Sequence, residues 1–216
     1  LITVAQDGTG DFMDIQDAIE AADDGDVILV SPGTYAGDGS EVARIDNKLI
    51  SLKSTDGPYA TFIDGEGQRR CLVVTGDSAG ILIDGFTIHD GYTADSGGGM
   101  HVSGGASSTI QNMRFTECSS GWEGGGFNAR YAGSIIIDSC EFGSNSAFAG
   151  GGLALTGLDE ARVELTATAR RAMENYRNAS SMRLEEPVQA VLHAVPPADL
   201  SMLDGSEQVS NEDAIA

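Results

Sequence analysis

An all-β solenoid is the fold class this 216-residue sequence predicts, and three observations predict it. One unit recurs between Ile81 and Leu155. Its segments Ile83-Asp84-Gly85-Phe86-Thr87-Ile88, Ile110-Gln111-Asn112-Met113-Arg114-Phe115 and Ile137-Asp138-Ser139-Cys140-Glu141-Phe142 follow one another at a constant step. A glycine triplet keeps nearly the same step, at Gly97-Gly98-Gly99, Gly124-Gly125-Gly126 and Gly150-Gly151-Gly152. Self-similarity at such a period marks a solenoid, propeller or array. Finally, apolar residues within the unit alternate (Ile135 and Ile137, Met100 and Val102, Leu153 and Leu155), which is the period of a strand, and Gly, Ser, Asn and Asp punctuate it. A 27-residue unit of two or three short strands with no helix inside it suits a parallel β-helix. Each turn then stacks ~4.8 Å above the last, so that equivalent positions form columns.

Taken in order, Ile2-Thr3-Val4 reads as a short strand and Gln6 to Gly10 as a turn. Asp11 suits a helix N-cap, with Asp14 near the positive end of the dipole. Phe12, Ile15, Ala18, Ile19 and Ala22 share one apolar face, and Gly25 stops the helix, which should span about residues 11–24. A stacked β-helix leaves its end strands unpaired and its core open, and this helix is the natural lid. Strands follow over Ile45 to Lys53, Tyr59 to Asp64 and Cys71 to Thr75 before the regular turns begin near Ile81, giving about five turns over residues 1–157.

After Gly157 the pattern changes. Leu158, Ala161, Leu165, Ala169, Ala172, Met173 and Tyr176 step by three and four, and Pro187 fits the first position of a helix carrying Val188, Val191, Leu192 and Val195. Residues 158–216 are therefore expected to form a helical cap or tail that closes the solenoid or docks a partner. Composition supports the break, since all but one of the 29 glycines precede it. Acidic side chains outnumber basic ones 22 to 7 before residue 158 and 11 to 5 after it, for a net charge of −21.

So acidic a chain argues against nucleic acid as a partner, because phosphates need Lys and Arg, and disfavours polyanionic sugars. It leaves room for Ca²⁺ or basic partners and fits a well-solvated extracellular or cell-surface protein. No apolar run approaches the ~20 residues that span a bilayer. No signal peptide is visible, but the chain opens on Leu1 rather than Met, so it could be a trimmed product, or a fragment with further repeats or an anchor domain elsewhere. Three cysteines cannot all pair with one another. Cys140 shares the inward column of Met113 and reads as a small core residue, Cys118 falls in a loop, Cys71 opens a strand, and no metal-binding spacing exists.

Two resemblances sharpen this reading. Val4 to Phe12, Ile15-Gln16-Asp17-Ala18-Ile19 and Val27 to Tyr35 resemble the N-terminal portion of pectin methylesterases and their pectin-lyase-like relatives, which implies a right-handed parallel β-helix. The Gly-Gly-aliphatic segments with Phe142-Gly143-Ser144-Asn145 resemble the paired repeats of polymorphic outer-membrane proteins and other surface adhesins, although Cys118 stands where the second asparagine would. Asn145 would suit a stacked turn asparagine that bonds open backbone groups. Asp204-Gly205 to Asp213 resembles a dockerin calcium half-loop, but Leu200 and Met202 occupy its first ligand positions, so no metal site is assigned.

The columns also nominate sites. If Ile83, Ile110 and Ile137 point inward, then Asp84, Gln111 and Asp138 form an outward ladder, with Thr87, Arg114 and Glu141 beside it. Asp84 and Asp138, two rungs and so ~9–10 Å apart, approach the spacing of an inverting glycosidase. The residue types, though not their order, are similar to those of a pectin methylesterase site. The simpler reading is structural: Gln111 keeps like charges apart, and Arg114 beside Glu141 is a cross-rung ion pair. The esterase, lyase and polygalacturonase motifs of this fold are missing, and His89 and His101 read as isolated outward residues.

A second set lies before the glycine triplets, where Tyr92, Trp122 and Phe148 supply one aromatic per turn beside Asp95 and Glu123. Exposed rings on a rigid ladder suit the C–H faces of sugars, with polar neighbours for hydroxyls. Tyr92 aligns with Ser119 rather than Trp122, so the rings need not form a regular platform. The expectation is a non-catalytic, glycan-binding or adhesive surface module without a required cofactor. The alternatives are a carbohydrate esterase, lyase or glycoside hydrolase using Asp84, Gln111, Asp138 and Arg114, and a structural repeat of a larger surface protein.

Overall fold

The structure, a computed structural model, describes residues 1–77 and 79–158, and beyond them only the backbone of three strands. The chain begins with β1 (Ile2–Val4) and the helix α1 (Ile15–Ala21). It continues through β2 (Val27–Val30), β3 (Gly33–Tyr35), β4 (Glu41–Asp46), β5 (Ser51–Ser54), β6 (Thr61–Asp64) and β7 (Arg70–Thr75). The regular turns comprise β8 (Ala79–Asp84), β9 (Thr87–His89), β10 (Tyr92–Thr93), β11 (Met100–Ser103), β12 (Ser107–Gln111), β13 (Arg114–Thr116), β14 (Ser119–Ser120), β15 (Phe127–Arg130), β16 (Ser134–Gly143) and β17 (Leu153–Thr156). The last three strands are β18 (Glu160–Leu165), β19 (Arg183–Leu184) and β20 (Ala190–His193).

Every ladder between them is parallel, and the predicted columns are present. Ile83, Ile110 and Ile137 are cross-strand partners, as are Met100, Phe127 and Leu153. One face stacks β1, β2, β5, β8, β12 and β16, which makes six turns where about five were expected. A second face stacks β3, β6, β9, β13 and the end of β16, and a third stacks β4, β7, β11, β15 and β17. Alternation sends one side chain in two to the axis, so the interior is a set of apolar columns: Leu52, Ile83, Ile110 and Ile137 on one wall, Leu72, Met100 and Phe127 on another. Phe115 and Phe142 stack there at 4.8 Å with their planes 5° apart, and Phe127 meets Phe115 edge-on at 5.9 Å.

The glycine triplets sit where the third face begins and chain passes over chain. A Cβ on Gly98 would run into the Ser119 carbonyl oxygen, and one on Gly99 into that of Gly126. Those positions require glycine because adjacent turns touch backbone to backbone. Asn145 fulfils its expected role, buried with Nδ2 donating to the Phe115 carbonyl at 2.8 Å and Oδ1 accepting from the Cys118 N–H at 3.0 Å.

Two expectations are corrected. The lid helix is shorter and begins later than Asp11: Asp14 is its N-cap, accepting from the Gln16 N–H at 2.7 Å. Asp11 instead holds β1, accepting from Thr3 N at 2.9 Å and Thr3 Oγ1 at 2.7 Å, while Phe12 bonds back to the strand. That tether commits Phe12 to a parallel bridge with Val4 rather than to a first helical turn. Ile15, Ala18, Ile19 and Ala22 cover the end of the core as expected, and Lys48 Nζ donates to the carbonyls of Ile19, Glu20 and Ala22 at 2.7–2.8 Å, where the helix dipole favours a cation.

The helical reading after Gly157 does not hold for the residues described there. Glu160–Leu165 is a strand on β16 that pairs Ile135 with Ala161 and Ile137 with Val163, and Ala190–His193 pairs in turn with it. The exposed edge of β16 supplies a row of backbone donors and acceptors that a strand satisfies and a helix does not. The remaining expected helical positions and the Asp204 to Asp213 segment lie outside the described residues.

Candidate functional site

The aromatic loops form as the turn passes from the second face to the third. Parallel pairing fixes Tyr92 opposite Ser119 and Thr93 opposite Ser120, as the sequence suggested. The Trp122 N–H donates to the Asp95 carbonyl at 3.1 Å, and the Trp122 carbonyl accepts from Ala149 N at 2.9 Å. Ser119 bridges to Ser146, a full repeat step further along the chain, but Glu123 bridges to Ala149, one position short of that step. The third loop is therefore one residue shorter, and that shortening brings Phe148 into line with Trp122. Their rings meet edge-on at 6.3 Å and 68°. All three loop aromatics are solvent-facing: Trp122 is 62% exposed, Phe148 84% and Tyr92 46%.

The polar rim of this strip is partly fixed. Asp95 projects into solvent with one carboxylate oxygen 3.8 Å from the Arg70 guanidinium, and Arg70 itself bonds the Ser96 carbonyl at 3.2 Å. The Glu123 backbone carbonyl accepts from Ser120 Oγ at 3.1 Å and from Gly97 N at 2.9 Å, which ties the loop to its neighbours. The rings thus ride on a backbone held by ladder bonds.

The carboxylate ladder has the expected register: Asp84, Gln111 and Asp138 are partners, and so are Thr87, Arg114 and Glu141. The ladder's polar groups are largely spent on one another. Asp84 accepts from Gln111 Nε2 and from Asn112 Nδ2, each at 2.9 Å, and Asp138 accepts from Ser139 Oγ at 3.1 Å. Arg114 pairs with Glu141 at 3.1 Å and lies over the Tyr59 ring at 4.7 Å. Thr87 is buried, not outward. Tyr59, Asp84, Asn112, Arg114 and Glu141 line an open groove of ≈ 380 Å³. The sequence reading missed Tyr59 and Asn112 in it. Asn112 carries φ 52°, the left-handed corner between the first and second faces, and an asparagine at such a turn was the available signal. Tyr59 comes from an irregular turn and gave none.

The two histidines are not isolated. His89 lies between Asp64 (Nδ1 to Oδ2 3.4 Å) and Glu117 (Nε2 to Oε2 3.6 Å). His101 is the cross-strand partner of Asn128, which is fully buried although it alternates out of phase with the core. His101 Nδ1 and both Asn128 amide atoms have no hydrogen-bond partner among the described residues. Burial, aided by the charge of Arg70, holds the His101 imidazole below its usual pKa. Among the described residues no group of three His, Cys, Asp or Glu side chains is arranged to hold a metal ion, and no helix is long and apolar enough to cross a membrane.

The family model for the right handed beta helix region matches residues 40–170. The solved structure of pectin methylesterase from carrot is similar at 15% identity with a TM-score of 0.37, over 92% of this chain and 75% of that one. Among curated proteins none matches the chain. The family match spans more than half of the sequence and agrees with the observed parallel turns: the chain belongs to the right-handed β-helix family.

Proposed function

We propose that this chain is a non-catalytic, extracellular or cell-surface β-helix module that binds glycan through the loop strip of Trp122, Phe148 and Tyr92. The observation that carries the reading is the exposed Trp122–Phe148 pair, two large rings in contact with each other and open to solvent on a ladder-held loop. Isolated exposed apolar residues need no explanation, but adjacent aromatic faces edged by Asp95 and Glu123 are what sugar stacking uses. The acidity of the chain directs the proposal to neutral glycans rather than polyanionic ones. The role needs no metal.

The groove, which Asp84 and Arg114 line but Gln111 and Asp138 do not, supports a second reading, a carbohydrate-active enzyme that works with Asp84, Arg114 and the ladder neighbours Gln111 and Asp138. Incubation with neutral and acidic polysaccharides separates the two, scoring retention on insoluble glycan and release of soluble product in the same tubes. The binding module predicts retention without product, weakened in Trp122→Ala. Product release that disappears in Asp138→Asn while the fold persists would establish the enzyme instead.

A further inference from the structure

The corner between the first and second faces is tight in the regular turns, where a single left-handed residue makes it at Gly85, Asn112 and Ser139. Between β5 and β6 the segment 55–60 makes it instead. Ser54 Oγ accepts from Gly57 N at 2.9 Å and Ala60 N donates to the Gly57 carbonyl at 3.1 Å, so this wider corner is itself held. Together with the tighter corners that follow, it lines the ≈ 380 Å³ groove. From it Tyr59 reaches along the solenoid. Phe62, on the same turn, pairs with Thr87, and Thr87 pairs with Arg114. Thr87 Oγ1 donates to the Pro58 carbonyl and so anchors the base of that reach. The Tyr59 ring lies 4.7 Å from the Arg114 guanidinium, and its hydroxyl oxygen lies 3.5 Å from Glu141, one turn further still. The ring is therefore positioned by a cation–π contact, yet Tyr59 remains 70% exposed.

We propose that the groove at Tyr59 is a second neutral-glycan site, so that one chain holds two glycan segments at two different corners. The proposal rests on the glycan-binding reading of the Trp122 loops, which lie at the corner between the second and third faces. A sugar ring stacks its C–H face on the open side of Tyr59, a fixed aromatic that loses little side-chain freedom on binding. Among the described residues Arg114 commits only its Nε–H, to Glu141 at 3.1 Å, which leaves its Nη groups to donate to sugar hydroxyls. Asp84 accepts one bond on each carboxylate oxygen, from Gln111 and Asn112, and keeps lone pairs for hydroxyl donors. Asp84 and Glu141 outnumber the single guanidinium, so the groove disfavours anionic sugars as the whole chain does. Two sites on one rigid solenoid hold a polysaccharide by avidity, which is why loss of Trp122 weakens retention without abolishing it.

The test is a ¹⁵N–¹H NMR titration of the full chain with cellohexaose, xylohexaose and mannohexaose as neutral probes. The Trp122 indole N–H reports the loop strip, and the Arg114 Nε–H with the Asn112 side-chain amide reports the groove. Saturable shifts at both sets with at least one hexasaccharide are expected. Tyr59→Ala should weaken the groove titration about 5–10-fold and leave that of the Trp122 indole unchanged, which also shows that the variant folds. Tyr59→Phe, which keeps the ring, should titrate like the wild type, and in Trp122→Ala the groove shifts should persist. Groove signals that stay still while the indole titrates, or groove shifts that Tyr59→Ala leaves unchanged, would overturn the second site and leave the loop strip standing. Groove shifts beside a silent indole would support the groove and overturn the loop strip. Silence at both would overturn both.

Discussion

Two aromatic pairs, each joining the same two adjacent turns, stand one inside and one outside the solenoid. Phe115 and Phe142 are direct register partners inside it, buried and face to face at 4.8 Å. Trp122 and Phe148 are loop neighbours outside it, exposed and edge-on at 6.3 Å. The chemistry is alike, and the position relative to the ladder decides what it does. Inside, parallel register forces equivalent rings into a stack that closes the core. Outside, a one-residue difference in loop length sets which rings meet, and the pair is left open to solvent.

The largest way to break the comparison is to remove the inner ring. Phe115→Ala should cost ~3–5 kcal/mol, because it deletes a buried ring that touches both Phe142 and Phe127. Denaturant titration checks it, and a loss as small as a surface substitution gives would contradict the inner-column assignment. Asn145→Ala should cost about 2–3 kcal/mol by leaving the Phe115 carbonyl and the Cys118 N–H unsatisfied in the interior. Trp122→Ala, outside the ladder, should move stability by no more than ~0.5 kcal/mol while weakening glycan retention about 5–10-fold, the worth of one lost aromatic contact.

The smallest effect is on pH dependence. His101 is held below its usual pKa, so the folded chain binds fewer protons there than the unfolded chain does. Stability therefore rises with pH across that window and is lost as pH falls from about 6.5, the ordinary histidine value, toward the depressed folded one. His101→Gln should flatten this part of the curve in a comparison of melting temperatures between pH 5 and pH 7. An unchanged slope would mean that another group sets it.

Much of this architecture was legible because a parallel ladder writes itself into the sequence. Ile83, Ile110 and Ile137 recur at a constant step because equivalent positions stack, and that step alone places Asp84, Gln111 and Asp138 in one column. The same logic did not reach the contact between Trp122 and Phe148, since the shortened third loop breaks the step there. Nor did it reach Tyr59, which enters the groove from a turn outside the repeat. The strand Glu160–Leu165 is instructive for another reason. Ala161, Val163 and Leu165 alternate with Glu160, Arg162 and Glu164, a strand pattern, yet Leu158, Ala161 and Leu165 also satisfy helical spacing. A short segment carries both periods, and the unpaired edge of β16 selects between them. At the lid, the helical face was readable but the start was not, because Asp11 and Asp14 are both good caps and only the tether to Thr3 separates them.

The central claim, that the outer pair is a sugar-stacking surface, has a built-in reporter, because Trp122 is the one tryptophan in the chain. Its intrinsic fluorescence should be followed while soluble oligosaccharides from any retained polysaccharide are titrated in. A saturable change in emission intensity or wavelength, absent with oligosaccharides of polymers that are not retained, is the predicted result. Retention of a glycan with no change in Trp122 emission at saturation would place binding elsewhere on the solenoid and contradict the account.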